Sequence, residues 1–245
     1  MVVRPPVNPL RLYHRLKEEC LSDFERRLKV YEDYAEDEEE REEIREVCEC
    51  ALDFLDKYAK LSAGAMDDYE VHEFYRQTVK MLERAIETKK LQYEIARDRL
   101  DDIEKMLKDE EAVVCDKSSE MYNEHECEVV RERLSTVESF RRLLERAEKE
   151  DISVMEARLE ACRVADTRAE KVLCIDSVAG LIHARGSILP LMCGAPLSEF
   201  VDEAVFGEDV EIVERGVHVV AVDMAKDVMD VLSCIANFRV SLDQR

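Results

Sequence analysis

The sequence predicts an all-α protein: a long antiparallel helical hairpin of coiled-coil type, followed by a smaller helical C-terminal domain. Three observations lead there. Neither glycine nor proline occurs between Ala65 and Ala179, a stretch of 115 residues that a turn-rich β fold would punctuate. Apolar residues recur every three or four positions from Leu10 onward, the spacing of one helix face. A seam of heptads runs through the middle of this region.

The first helix starts at Asn8-Pro9, because asparagine caps free amides and proline is pre-set for the first helical position. Its face is Leu10, Tyr13, Leu16, Cys20, Phe24, Leu28, Tyr31 and Ala35. The acid run from Glu36 to Glu43, broken only by Arg41, is either a solvated hinge or the polar start of a second helix. That helix carries Ile44, Val47, Ala51, Leu55, Tyr58 and Leu61, and stops at Ser62-Ala63-Gly64. In the third segment Val79, Ile86, Tyr93, Leu100 and Leu107 are spaced by seven, as are Tyr75, Leu82, Lys89, Ala96 and Ile103. The seam has one charged position, Lys89. A helix from about Asp68 to Glu110 would span roughly 60 Å at 1.5 Å per residue, so it must pack on something. Residues 112–119 form the natural reversal, and Tyr122, Val130, Leu134, Val137, Leu144 and Ala147 return at helical spacing. An antiparallel hairpin within one chain is preferred. A parallel dimer through the same seam is its rival, since heptads alone fix neither orientation nor partner.

Ser153 with Glu156 and Thr167 with Glu170 read as capping boxes. They open a short helix (Met155, Leu159, Cys162) and an apolar one, in which Val172, Leu173, Ile175, Val178, Ala179, Leu181 and Ile182 cover almost every side. A helix apolar all round is buried. Glycines and prolines then shorten the elements, with one helix expected over 197–206. Beyond it, Val210, Val213, Val217, Val220, Met224, Val228, Val231, Ile235 and Phe238 step by three or four, favouring one long helix. The β-branched crowding of 210–222 leaves an α+β alternative, with a short β-hairpin turning at Arg215-Gly216. The linear division is an N-terminal helical pair (1–65), the long hairpin (66–150) and a compact C-terminal domain (151–245).

The chain carries 58 acidic and 36 basic residues, for a formal net charge of −22, without an acidic tail or a basic arm. Such a field repels phosphate backbones, so direct nucleic-acid binding is not expected. The arginines at 141, 142 and 146 lie among Glu138, Glu145 and Glu148, a salt-bridged helix face. No apolar run reaches the length of a membrane span and no leader peptide is recognisable. The nine cysteines are therefore expected to be reduced, buried thiols in a cytoplasmic protein. Asparagine and glutamine total six while glutamate and arginine abound, a composition suited to a hot or salty cytoplasm.

Cys48 and Cys50 point to different sides of a helix and cannot share an ion. Cys115, His125 and Cys127 supply three ligands and no fourth, so they make only a weak metal candidate. No histidine has glutamate three residues before it, which excludes the usual di-iron bundle pattern. Phosphate loops and nucleophile elbows are missing. No cofactor is called for and no catalytic residue is assigned. The one unusual corner is Asp176, His183, Arg185, Gly186 and Ser187. Cations suit the end of a buried helix there, Gly186 would be its left-handed stop, and the amides after it could hold a small anion. Three readings follow: a non-catalytic interaction scaffold or homodimer; an anion-binding or enzymatic C-terminal domain with the hairpin as its dimerisation arm; and an acidic decoy or chaperone for a basic partner.

Overall fold

The computed structural model describes residues 8–195 and 216–243, and the described residues are all-α. The helices are α1 (Pro9–Leu16), α2 (Ser22–Tyr31), α3 (Glu38–Ser62), α4 (Asp68–Val114), α5 (Glu124–Arg163), α6 (Arg168–Ala184), α7 (Ile188–Met192) and α8 (Gly216–Asp243). The chain forms two compact units. The described part of the first comprises residues 8–88, 155–195 and 216–243; that of the second comprises residues 89–154. The units thus cut across the linear three-part division, because α5 and α8 return to elements far earlier in the chain.

Local chemistry sets the ends. Asn8 caps α1, its Oδ1 accepting from the Leu10 amide at 3.0 Å, with Pro9 in the first position. A π-helical turn (Lys17–Leu21) separates α1 from α2, so the face read as one helix is a jointed one. The acid run is the polar start of α3: Asp37 caps it through the Glu40 amide (2.8 Å), and Glu38, Glu39 and Glu40 fill the first turn, where the helix dipole favours carboxylates. At the other end Gly64 has φ +69°. Its amide bonds the Leu61 carbonyl and the Ala65 amide bonds that of Lys60, the paired stop that a glycine permits. Asp67 and Glu70 then cap α4 reciprocally, at 2.8 and 3.2 Å.

Within the first unit, α8 packs on α3, α6, α7 and α2. Met224, Val228, Val231 and Ile235 are buried along it, so the three-to-four spacing outweighs the strand preference of β-branched residues. The helical reading holds from Gly216 onward, and the alternative hairpin has no second strand. Residues 210–215 and the helix expected over 197–206 lie outside the described residues. The buried carboxylate of Asp227 on α8 accepts from Arg27 and from the Tyr31 hydroxyl, both on α2. Burial, then that bond, pushes the Tyr31 hydroxyl far above its ordinary range.

The second unit is an antiparallel pair formed by the later part of α4 and the earlier part of α5. Arg97 meets Glu148, Arg141 meets Asp101 and Glu104, and Arg131 meets Glu111; numbers rise on one helix as they fall on the other. Leu100, Ile103 and Leu107 are buried with Val114, Val130 and Val137 in one apolar cluster. The charged seam position is resolved locally: Lys89 Nζ lies 3.2 Å from Asp151 Oδ2 and 5.3 Å from the Tyr93 ring centre, and the Tyr93 hydroxyl donates to the same carboxylate at 2.9 Å.

Three sequence expectations are corrected. Ser153 opens no helix, because α5 runs unbroken to Arg163 and the Ser153 hydroxyl donates to the Glu150 carbonyl (3.2 Å). Ile152 and Met155 continue the buried face across that point, so packing overrides the motif; Thr167–Glu170, by contrast, is a reciprocal capping box. Second, α6 is not buried all round: Leu173 is 66% exposed. Third, the cysteines are not free. Cys20–Cys234, Cys50–Cys193, Cys115–Cys127 and Cys162–Cys174 are disulfides. Cys48 alone is a thiol, buried and pushed up to about 12 by burial first and then by Glu32 and Glu49.

Candidate functional site

A cleft of about 680 Å³ opens in the first unit among α1, α3 and the start of α4. Its apolar floor is Met66, Phe74 and Met81; Phe74 is held edge-on against Phe54, ring centres 5.4 Å apart. Tyr69 on α4 is 72% exposed at the rim. The walls carry Asp53, Asp56, Lys57 and Lys60 from α3 and Glu70, Glu73, Arg76 and Lys80 from α4. Acidic and basic groups are equal in number there, so the cleft is locally neutral on a chain of net charge −22.

Most of these charges are spent on one another. The Tyr13 hydroxyl donates to Asp56 at 2.8 Å from both oxygens, and Lys17 Nζ reaches Asp56 Oδ1 at 3.0 Å. Burial, then the bond to Asp56, pushes Tyr13 up to about 12. Lys57 bridges Asp53 and Gln77, 2.7 Å from each, and Gln77 donates back to Asp53 at 2.9 Å. Lys60 pairs with Glu70, holding that carboxyl below its ordinary range. A carboxylate already neutralised by a cation makes a poor general base. The cleft presents bound pairs, a shaped apolar floor and an exposed tyrosine, features of a recognition surface.

Along the seam Leu82, Ile86, Tyr93, Leu100, Ile103 and Leu107 are buried, while Tyr75 and Val79 are half-buried. Tyr75 donates to the Cys162 carbonyl at 2.8 Å. In the second unit the seam is therefore occupied by α5 of the same chain. Cys115 and Cys127 are joined to each other and His125 is exposed, so the weak metal trio has no thiolates to offer; among the described residues no group of side chains is arranged to hold a metal.

The corner after α6 is built for packing. Gly186 is not left-handed; a Cβ there would stand 2.2 Å from the Ala225 carbonyl oxygen on α8. Its smallness lets two backbones meet. The Ile188 amide bonds the Arg185 carbonyl, and α7 is buried throughout. His183 meets Ser233 at 2.8 Å, Asp176 and Arg185 each have interactions of their own, and the Ser187 hydroxyl makes no cap bond.

Sequence reasoning missed both the cleft and the disulfides. The cleft draws on Tyr13, Asp56 and Gln77, which no local spacing connects. Two of the disulfides did leave a trace: Cys115–Cys127 and Cys162–Cys174 have the same separation of 12 residues, each across a helix–helix corner.

The model of a family described as E3 ubiquitin-protein ligase LIN-like, ARM repeat, matches residues 28–140, a little under half of the chain. No curated protein and no solved structure matches. The matched segment takes in α3 and all of α4. An armadillo-type repeat packs two or three helices into about 40–47 residues, whereas α4 alone has 47 residues. The likeness therefore holds at the level of helix packed on helix. No described helix is long and apolar enough to cross a membrane.

Proposed function

We propose that this chain is a non-catalytic, acidic helical scaffold that binds another protein. The observation that carries the reading is the all-α fold matched over residues 28–140 by an ARM-repeat family, since stacked helices of that type present extended surfaces to partners. The cleft supports it: its carboxylates and cations are mostly paired with one another, leaving Tyr69 and the apolar floor for contact. The partner is a second polypeptide or a second copy of the chain; the charge of −22 disfavours direct binding to nucleic acid.

We further propose a compartment in which disulfides persist. An oxidising space fits, and so does the cytoplasm of a hyperthermophile, where intracellular proteins are disulfide-rich. The scarcity of asparagine and glutamine suits the second, and pairing removes the objection that nine thiols would raise in a hot cell.

Native mass spectrometry of protein purified from its own cells tests the scaffold reading. A discrete complex with one further polypeptide is expected. A bare monomer, or a monomer carrying only a small molecule, would overturn it.

A further inference from the structure

We infer that the tip of the second unit is a docking surface for a basic, amphipathic segment of a partner protein, an assignment that rests on the protein-interaction reading above. Four apolar side chains stand out at this end of the hairpin: Met106 (52% exposed), Val113, Met121 (68%) and Tyr122. Met106 and Val113 are seven residues apart on α4, hence on one face. The Asn123 amide bonds the Val114 carbonyl at 3.1 Å, which brings Tyr122 and Val113 each to within one residue of the same bond. Methionine thioethers are flexible and polarisable, and pack against apolar partners of varied shape.

Charge selects the occupant. Residues 109–128 hold eight carboxylates and one lysine, Lys117. A second copy of this tip would bring like charges together, and an anionic polymer or lipid would be repelled. A segment with lysine or arginine around an apolar face satisfies both the carboxylates and the exposed methionines.

The tip is also held in shape. Cys115 and Cys127 are bonded across it. Asp116 accepts from the Ser118 amide (2.9 Å) and hydroxyl (2.7 Å), and Ser119 Oγ accepts from the Met121 amide at 3.1 Å. An exposed apolar surface fixed before binding loses less freedom when it is covered.

The test uses the full oxidised chain and two peptides of leucine and lysine with one tryptophan, the protein having none. One peptide is amphipathic as a helix; the other is a scramble without an apolar face. Fluorescence titration at physiological salt should show the amphipathic peptide binding about tenfold more tightly. The triple variant Met106→Gln, Met121→Gln, Tyr122→Ser should erase that preference and leave the scrambled peptide unaffected. In the unsubstituted protein, the methyl resonances of Met106 and Met121 should move when the amphipathic peptide is added, a readout that needs no variant to fold. Equal binding of the two peptides, an undiminished variant or stationary methyl signals would overturn the proposal. So would a dimer by light scattering that the triple variant makes monomeric. If the native complex survives the triple substitution, the tip assignment fails alone; if unsubstituted protein shows no complex, the scaffold reading fails with it.

Discussion

Replacing Gly186 with alanine tests how closely the α6–α7 corner is pressed against α8. The added Cβ would sit 2.2 Å from the Ala225 carbonyl oxygen and 2.8 Å from its carbon. Ordinary contact begins near 3.4 Å, so one backbone must retreat by about 1 Å. A gap of that size forfeits a quarter to a half of each dispersion well along the opened face, which includes the buried Met224 and Val228. Overpacking of this kind costs roughly 1–3 kcal/mol. Because Gly186 has no positive φ, alanine also stiffens the unfolded chain, a gain of about 0.4–1 kcal/mol. The clash is with backbone rather than a mobile side chain, so the cost prevails, with a net loss of about 1–2 kcal/mol and a fall in Tm of roughly 2–8 °C. Gly180→Ala is the matched control. It lies within the same α6, a Cβ there meets nothing within 4 Å, and alanine should stabilise by about 0.5–1 kcal/mol. Guanidinium unfolding of the oxidised proteins, with m compared between variants, reads both. A Gly186→Ala protein as stable as its parent would refute the close approach.

The other predictions concern covalent and ionic links. Thiol titration of non-reduced protein should find no reactive group in the native state and one, Cys48, in denaturant; eight or nine would show that the disulfides do not form. Replacing Cys20 and Cys234 together with serine removes the outermost link, which closes a loop of roughly 70 residues because Cys50–Cys193 stays bonded inside it, and should lower stability by about 4 kcal/mol on the chain-entropy argument, read by chemical unfolding against the parent. Tyr31→Phe removes one of the donors to buried Asp227 and should cost about 1–3 kcal/mol, an effect that should shrink in an Asp227→Asn background. Raised folded values for Tyr13 and Cys48 mean stability that is fully present below their unfolded values and lost as pH climbs toward 12. Alkaline unfolding should therefore accompany late tyrosinate absorbance, and Tyr13→Phe should blunt it. The carboxyls of Glu70 and Glu104 are held low by Lys60 and Lys108, so their contribution is present above the ordinary carboxylate range and fades in acid.

The elements that were legible in the sequence are those set by near neighbours. Asn8-Pro9, Gly64 and Thr167–Glu170 act within four residues, and the seam from Tyr93 to Leu107 needs only a period. Ser153–Glu156 misled because a motif of four residues cannot report that Ile152 and Met155 are buried on a helix that continues. The sequence around Gly186 suggests a left-handed turn, whereas its role is to admit Ala225 from 39 residues away. The cleft joins Tyr13 to Asp56, and the cysteine pairs join Cys20 to Cys234; such contacts exist only after α8 and α1 have found their places, and no pattern along the chain encodes them.

The four disulfides never interleave. Cys20–Cys234 encloses Cys50–Cys193, which encloses Cys115–Cys127 and Cys162–Cys174 side by side. The cross-links are nested like brackets, so each can close without the chain being threaded through another. A protease that cuts once anywhere between Cys20 and Cys234 leaves both fragments on one covalent molecule. On a non-reducing gel that nicked protein would still migrate as a single species, and a damaged copy would keep its partner surfaces tethered until a reductant reached it.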